Sequence, residues 1–183
     1  MRRNFTRPIT AALSPLALAF VLATSSIVVP SVAHTQESTP VSRHKDWTVH
    51  TYGSGEAKRC FMTSTPTELK GNYNRNNRGK TRVYVSHGPD KSTRNVVTVF
   101  AGYRYKSQTD VTFDIDGETF RLYSDGTFAW AYQEEDQALV RAMRSGQTLT
   151  VIGVSSRGNE TIDTYSLAGF TAAHNEISQL CPA

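Results

Sequence analysis

The strongest pattern along the chain is an alternation of apolar and polar positions. Val111, Phe113 and Ile115 alternate with Thr112, Asp114 and Asp116, Asp116-Gly117 follows, and Phe120 and Leu122 resume the apolar series. A period of two puts the apolar side chains on one face of a strand. Asp-Gly accepts the positive φ of a tight turn, so the segment predicts a β-hairpin. Asp125-Gly126 predicts a second such turn, leading into a strand over residues 127–132. Further strands are predicted over Trp47–Tyr52, Arg59–Ser64, around Val83 and Val85, over Thr148–Val154 and over residues 161–168. Residues 155–160 form the loop between the last two. Residues 95–101 (NVVTVFA) are largely β-branched and apolar, which predicts a strand buried on both faces.

The period changes over residues 134–145. Acids open this segment, Arg141 and Arg144 lie near its end, and Leu139, Val140 and Met143 share a face. That charge order complements a helix dipole, and Gly146 suits a C-terminal cap. A last helix is predicted with Thr171 as cap and Ala173, Ile177, Leu180 and Cys181 on one face. Residues 65–80 hold Pro66, Gly71, Gly79 and the run Asn74-Arg75-Asn76-Asn77-Arg78, which predicts a loop. Residues 34–45 have no periodicity and read as a flexible lead-in, with a single domain starting at Asp46-Trp47. The order of elements predicts a mainly β fold, an antiparallel β-sandwich or partly open barrel with two short helices.

The N-terminus changes how charge is read. Arg2, Arg3 and Arg7 precede an uncharged stretch from Ile9 to Val29, and Ser31-Val32-Ala33 supplies small residues for cleavage after Ala33. Residues 1–33 are therefore expected to be a cleaved signal peptide, leaving no stable membrane span. The remaining 150 residues carry 17 basic and 16 acidic side chains. The excess charge of the precursor thus belongs to its targeting segment, and no nucleic-acid partner is expected. Cys60 and Cys181 are the two cysteines. In an exported chain such a pair favours a disulfide, with two buried thiols or an intermolecular bridge as alternatives. The expected location is periplasmic or secreted.

Candidate chemistry is sparse. His34, His44, His50, His87 and His174 lack metal-site spacing, and neither metal nor other cofactor is expected. Asp163, Ser166 and either His87 or His174 would complete a triad, but no G-x-S-x-G is present, and residues three apart on a strand face opposite ways. Asp114/Asp116 bracket a turn and Glu134/Glu135/Asp136 open a helix, local roles that account for both groups. The candidate binding residues are Arg75, Arg78, Lys80 and Arg82, with Lys70 and Tyr73 interleaved, suited to an anionic envelope polymer or surface. Tyr103 with Tyr105, and Phe128 with Trp130, are i,i+2 aromatic pairs that serve either a core or an exposed platform.

Several of these segments form a longer pattern. Asp46-Trp47-Thr48-Val49, Cys60-Phe61, Gly102-Tyr103 and Val111 through Gly117 come first. Ala142-Met143-Arg144-Ser145-Gly146, Ser156-Arg157-Gly158, the run from Asp163 to Gly169 (DTYSLAG) and Cys181 follow. Across the whole mature domain the chain resembles the invasion-associated locus B (IalB) family of alphaproteobacterial envelope proteins. Where some members carry a cysteine just after the D-W-x-V-x segment, this chain has Thr51. The resemblance implies a small secreted β-rich protein and offers no catalytic residues to carry over. The expected function is that of a non-enzymatic envelope protein, a binding or accessory factor in host-cell interaction, whose partner is an envelope or host-surface component. The alternatives are a structural protein of envelope integrity and an envelope hydrolase using Asp163 or Ser166.

Overall fold

Strands whose alternate residues are apolar must bury one face, and a chain with many of them builds a sheet around a single core. A computed structural model describes residues 38–182. The expected signal peptide, residues 1–33, lies outside them. The strands are β1 (Thr39–His44), β2 (Trp47–Tyr52), β3 (Arg59–Ser64), β4 (Glu68–Gly71), β5 (Arg82–His87) and β6 (Val96–Phe100). They continue with β7 (Val111–Ile115), β8 (Glu118–Asp125), β9 (Phe128–Ala131), β10 (Thr148–Val154) and β11 (Glu160–Ser166). The helices are α1 (Asp136–Ser145) and α2 (Phe170–Leu180).

All pairings are antiparallel, in the order β1-β2-β3-β5-β6-β9-β8-β7-β10-β11-β4. The sheet is unclosed but curls. The amide of Asp46 donates to the carbonyl of Ala168 (3.3 Å), and the indole of Trp47 donates to the carbonyl of Ser166 (3.1 Å). These bonds join the start of β2 to the end of β11. The fold is therefore mainly β with two helices, realised as one curled open sheet.

The inward face is covered by α2, which packs on β1, β2, β3 and β5, and by α1, which packs on β6 and α2. Trp47, Met62, Phe113, Leu139, Leu149 and Ile177 are wholly buried. Each such side chain contributes roughly 1.5–3 kcal/mol relative to exposure. Trp47 meets Phe170 edge to face at 4.9 Å. Cys60 on β3 is bonded to Cys181, at the end of α2, with their Cα atoms 5.9 Å apart. The end of α2 is also held by cations. Lys58 donates to the carbonyl of Leu180 (3.1 Å) and Arg94 to that of Cys181 (2.6 Å), satisfying acceptors that a helix end leaves open. Among the described residues no helix is long and apolar enough to cross a membrane.

Several local expectations are corrected. The lead-in is not wholly flexible, because β1 forms a hairpin with β2 and the domain starts before Asp46. As an exposed edge strand β1 has no apolar face to reveal it. Residues 65–80 are not all loop, since β4 pairs with β11. Residues 95–101 are not buried on both faces: Val97 and Val99 are buried while Val96, Thr98 and Phe100 are half-exposed, because no described element covers the outer face of β6. The Asp116-Gly117 turn has positive φ at both residues, but the next turn centres on Gly126-Thr127, with Asp125 still in β8. Helix α1 starts at Asp136 rather than 134. Gly146 is the C-terminal cap of α1 as expected, its amide donating to the carbonyl of Ala142 (2.8 Å), though without a left-handed φ. Its φ is −77°, and it matters because a Cβ there would lie 2.5 Å from Ile115 Cγ2. Thr171 does not cap α2. Gly169 does, while the Thr171 hydroxyl donates to the carbonyl of Arg144 (3.0 Å).

Candidate binding groove

The register of β11 places Thr161, Asp163 and Tyr165 on the inward face, where all three are buried. A strand whose inward row is polar needs a hydrogen-bonding partner for every member. Tyr103 supplies one for Thr161 (hydroxyls 2.7 Å apart), and Thr81 one for Tyr165 (3.0 Å). Arg78 supplies the third. Its guanidinium donates to both oxygens of Asp163 (2.7 and 2.5 Å), to Tyr73 Oη (2.8 Å) and to the carbonyl of Ala101 (2.9 Å). It lies over the rings of Tyr73 and Tyr103, 5.3 and 5.0 Å from their centroids. The side chains of Arg78 and Asp163 are 5% and 2% exposed.

The electrostatics follow from that geometry. Burial works against the charge on Arg78, but the hydrogen bond and charge of Asp163 outweigh it, so the guanidinium holds its proton more tightly than usual. Burial pushes the Asp163 carboxyl upward while Arg78 pulls it back. The pair stands as guanidinium and carboxylate, because arginine does not give up its proton in a protein. Burial also raises the hydroxyl of Tyr103, which remains a neutral phenol.

Above this buried pair opens a groove of about 300 Å³. Tyr73, Asn74 and Asn77 line one side, Tyr103 and Arg104 another, and Ser156, Arg157 and Asn159 a third. The loop 155–160 is shaped by its own backbone: the amide of Ser155 donates to the carbonyl of Asn159 (2.8 Å), and that of Ser156 to the carbonyl of Arg104 (2.8 Å). Arg104 and Arg157 are exposed, and among the described residues neither guanidinium has a hydrogen bond or ion pair. Two unpaired guanidiniums, amide side chains and an aromatic wall can hold an anionic, oxygen-rich group.

The candidate cations are dispersed. Arg78 is spent on Asp163 and forms the groove floor. Arg75 is exposed and bonds to the carbonyl of Leu69. Lys80 is exposed, and Arg82 is half-buried on the outer face of β5. The four do not form one patch, because β4 and the turn at Arg75–Asn77 redirect the segment. Sequence reasoning missed Arg104 and Arg157, although each sits in a segment it singled out, beside Tyr103 and within Ser156-Arg157-Gly158.

The residues of the hypothetical triad are not brought together. Asp163 pairs with Arg78, and Ser166 Oγ accepts from the amide of Ala168 (3.1 Å). His87 bonds to Ser178 (3.0 Å), and His174 to Asn95 (2.8 Å). The carboxylates serve the backbone: Asp114 accepts from Gly117, Asp116 from Gln147 and Thr148, and Asp136 from Val97. Among the described residues no three His, Cys, Asp or Glu side chains gather as a metal site. The family described as "Invasion associated locus B (IalB) protein" matches residues 47–178, from the first residue of β2 nearly to the end of α2. No curated protein and no solved structure matches the chain. With the match spanning the core strands and the whole groove, the chain belongs to the invasion associated locus B family.

Proposed function

We propose that this protein is a non-enzymatic binding or accessory factor of the cell envelope, periplasmic or secreted, that engages an anionic group of an envelope or host-surface component and so contributes to host-cell interaction. The observation that carries this reading is the pair of unpaired guanidiniums, Arg104 and Arg157, at a groove whose floor is already neutralised by the Arg78–Asp163 pair. The Cys60–Cys181 bond suits an oxidising compartment. Asp163 and Ser166, the residues a hydrolase would use, have separate partners, which favours binding over catalysis.

The test is calorimetric titration of the mature protein with purified lipopolysaccharide, before and after enzymatic removal of its phosphates. Binding is expected to need the phosphates and to fall at least tenfold in Arg104→Gln/Arg157→Gln, with an unchanged melting temperature. Equal binding by the double variant, or no binding at all, overturns the reading.

A further inference from the structure

Among the described residues, the outer face of the sheet carries a band of aromatic rings with no element over it. The outward positions of adjacent strands supply His50, Phe61, Tyr84, Trp130 and Tyr123, from β2 across to β8. His50 stacks on Phe61 at 4.9 Å, Phe61 meets Tyr84 at 6.3 Å, and Tyr123 stacks on Trp130 at 5.6 Å. Phe100 and Phe128 form a tilted pair at 5.0 Å. Tyr52, Tyr123, Phe128 and Tyr132 are each more than a third exposed. Within the band a slot of about 300 Å³ opens between Tyr52, Phe61, Tyr84 and Phe128, with Arg59 beside it. The slot shares no residue with the groove of Arg104 and Arg157.

The composition of the face selects its occupant. Between the rings stand Thr48, Ser86 and Thr98; the charged outward residues of β2, β3, β5, β6 and β9 are Arg59 and Arg82, and β8 adds Arg121 and one acid, Asp125, opposite Phe128. Val96 is the one aliphatic outward residue on those strands. A face for an apolar helix or for lipid chains would present Leu, Ile or Met. This one presents flat π surfaces, hydroxyls and cations. A π face attracts the weakly positive C–H hydrogens of a sugar ring, hydroxyls pair with hydroxyls, and guanidinium pairs with carboxylate. Nucleic acid also stacks on aromatics, but a strand of it needs a row of cations along its phosphates, and β3 and β5 supply only Arg59 and Arg82. We infer that this outer face binds an acidic polysaccharide, with a sugar ring in the slot and its carboxylate on Arg59. The inference adds a second site to the binding reading and does not depend on the groove.

The probe is hexagalacturonate, compared by calorimetry with its fully methyl-esterified form and with a twelve-residue oligothymidylate. Trp47 is wholly buried and Trp130 lies in the band, so a change in tryptophan emission reports binding at the band itself. The acid hexamer should bind at least tenfold more tightly than the ester. Arg59→Gln should remove that preference, and Phe128→Ala should weaken both at least tenfold. Both residues are exposed, and unchanged melting temperatures will confirm that the variants fold. Arg104→Gln/Arg157→Gln should leave hexamer binding intact while weakening that of lipopolysaccharide at least tenfold. The inference is overturned if neither hexamer binds, if the ester binds equally, if the oligothymidylate binds more tightly, or if only the groove variant weakens the hexamer.

Discussion

Two coverings lie over opposite ends of the sheet, and they are held by different physics. Helix α2 covers β2, β3 and β5 with an apolar face, Phe170, Ala173 and Ile177, and is locked by the Cys60–Cys181 bond. The segment through β4 to Arg78 covers β11 with one guanidinium set on a buried carboxylate. The first covering gains from area removed from water and tolerates side chains of similar volume. The second depends on one geometry, because an unpartnered charge at Asp163 would carry its full desolvation penalty. One end is therefore sensitive to redox state and the other to charge deletion.

The largest effect is expected at the covalent end. The bond closes a separation of 121 residues, for which chain entropy gives about 4–5 kcal/mol. Cys60→Ser and Cys181→Ser should be equally destabilising in chemical denaturation, and reductant should bring the wild type to the same level. Alkylation of the unfolded, unreduced protein should find no free thiol; two labelled cysteines would show the bond is absent.

At the other end Arg78→Ala or Asp163→Ala should cost about 3–5 kcal/mol, and Arg78→Lys should not rescue, because one ammonium cannot make the bidentate contact. The double replacement Arg78→Met/Asp163→Leu should recover most of the loss, read as the denaturation midpoint. If the double variant is as unstable as the singles, the pair does more than neutralise itself.

Acid separates the two ends a third way. His174 of α2 and His87 of β5 lie edge to face at 5.3 Å, and burial lowers both to about 4. The unfolded chain binds their protons at about 6.5, so the stability they confer is complete above that pH and is lost as pH falls towards 4. Asp136, raised by burial to about 6, works the opposite way and offsets part of the loss. Melting at stepped pH should show a decline of a few kcal/mol (on the order of 2–3) between pH 6.5 and 4, steeper in Asp136→Asn. A flat profile would show that the histidines charge without cost.

The smallest effect belongs to the inward row of β11. Tyr165→Phe removes the hydroxyl on Thr81 but leaves Thr81 its bond to the carbonyl of Phe100. It should cost about 1 kcal/mol in denaturation, far less than deleting the charge two residues away.

Local patterning specifies the elements that bury an apolar row. The hairpin of β7 and β8, the strands β2, β3 and β10, and the apolar faces of both helices were legible because alternation and helical spacing are local. The cysteine pairing was legible because there were two. Tertiary structure alone decided β1 and β4, which are held by backbone pairing at the sheet's edges and whose side chains carry no signal. The same holds for Arg78, which is grouped in sequence with Arg75, Lys80 and Arg82 but turns inward to Asp163, 85 residues on, while Arg104 and Arg157 come to line one groove. Burial periodicity is written in neighbouring residues, whereas a buried ion pair and a binding surface depend on which distant strands the sheet places side by side.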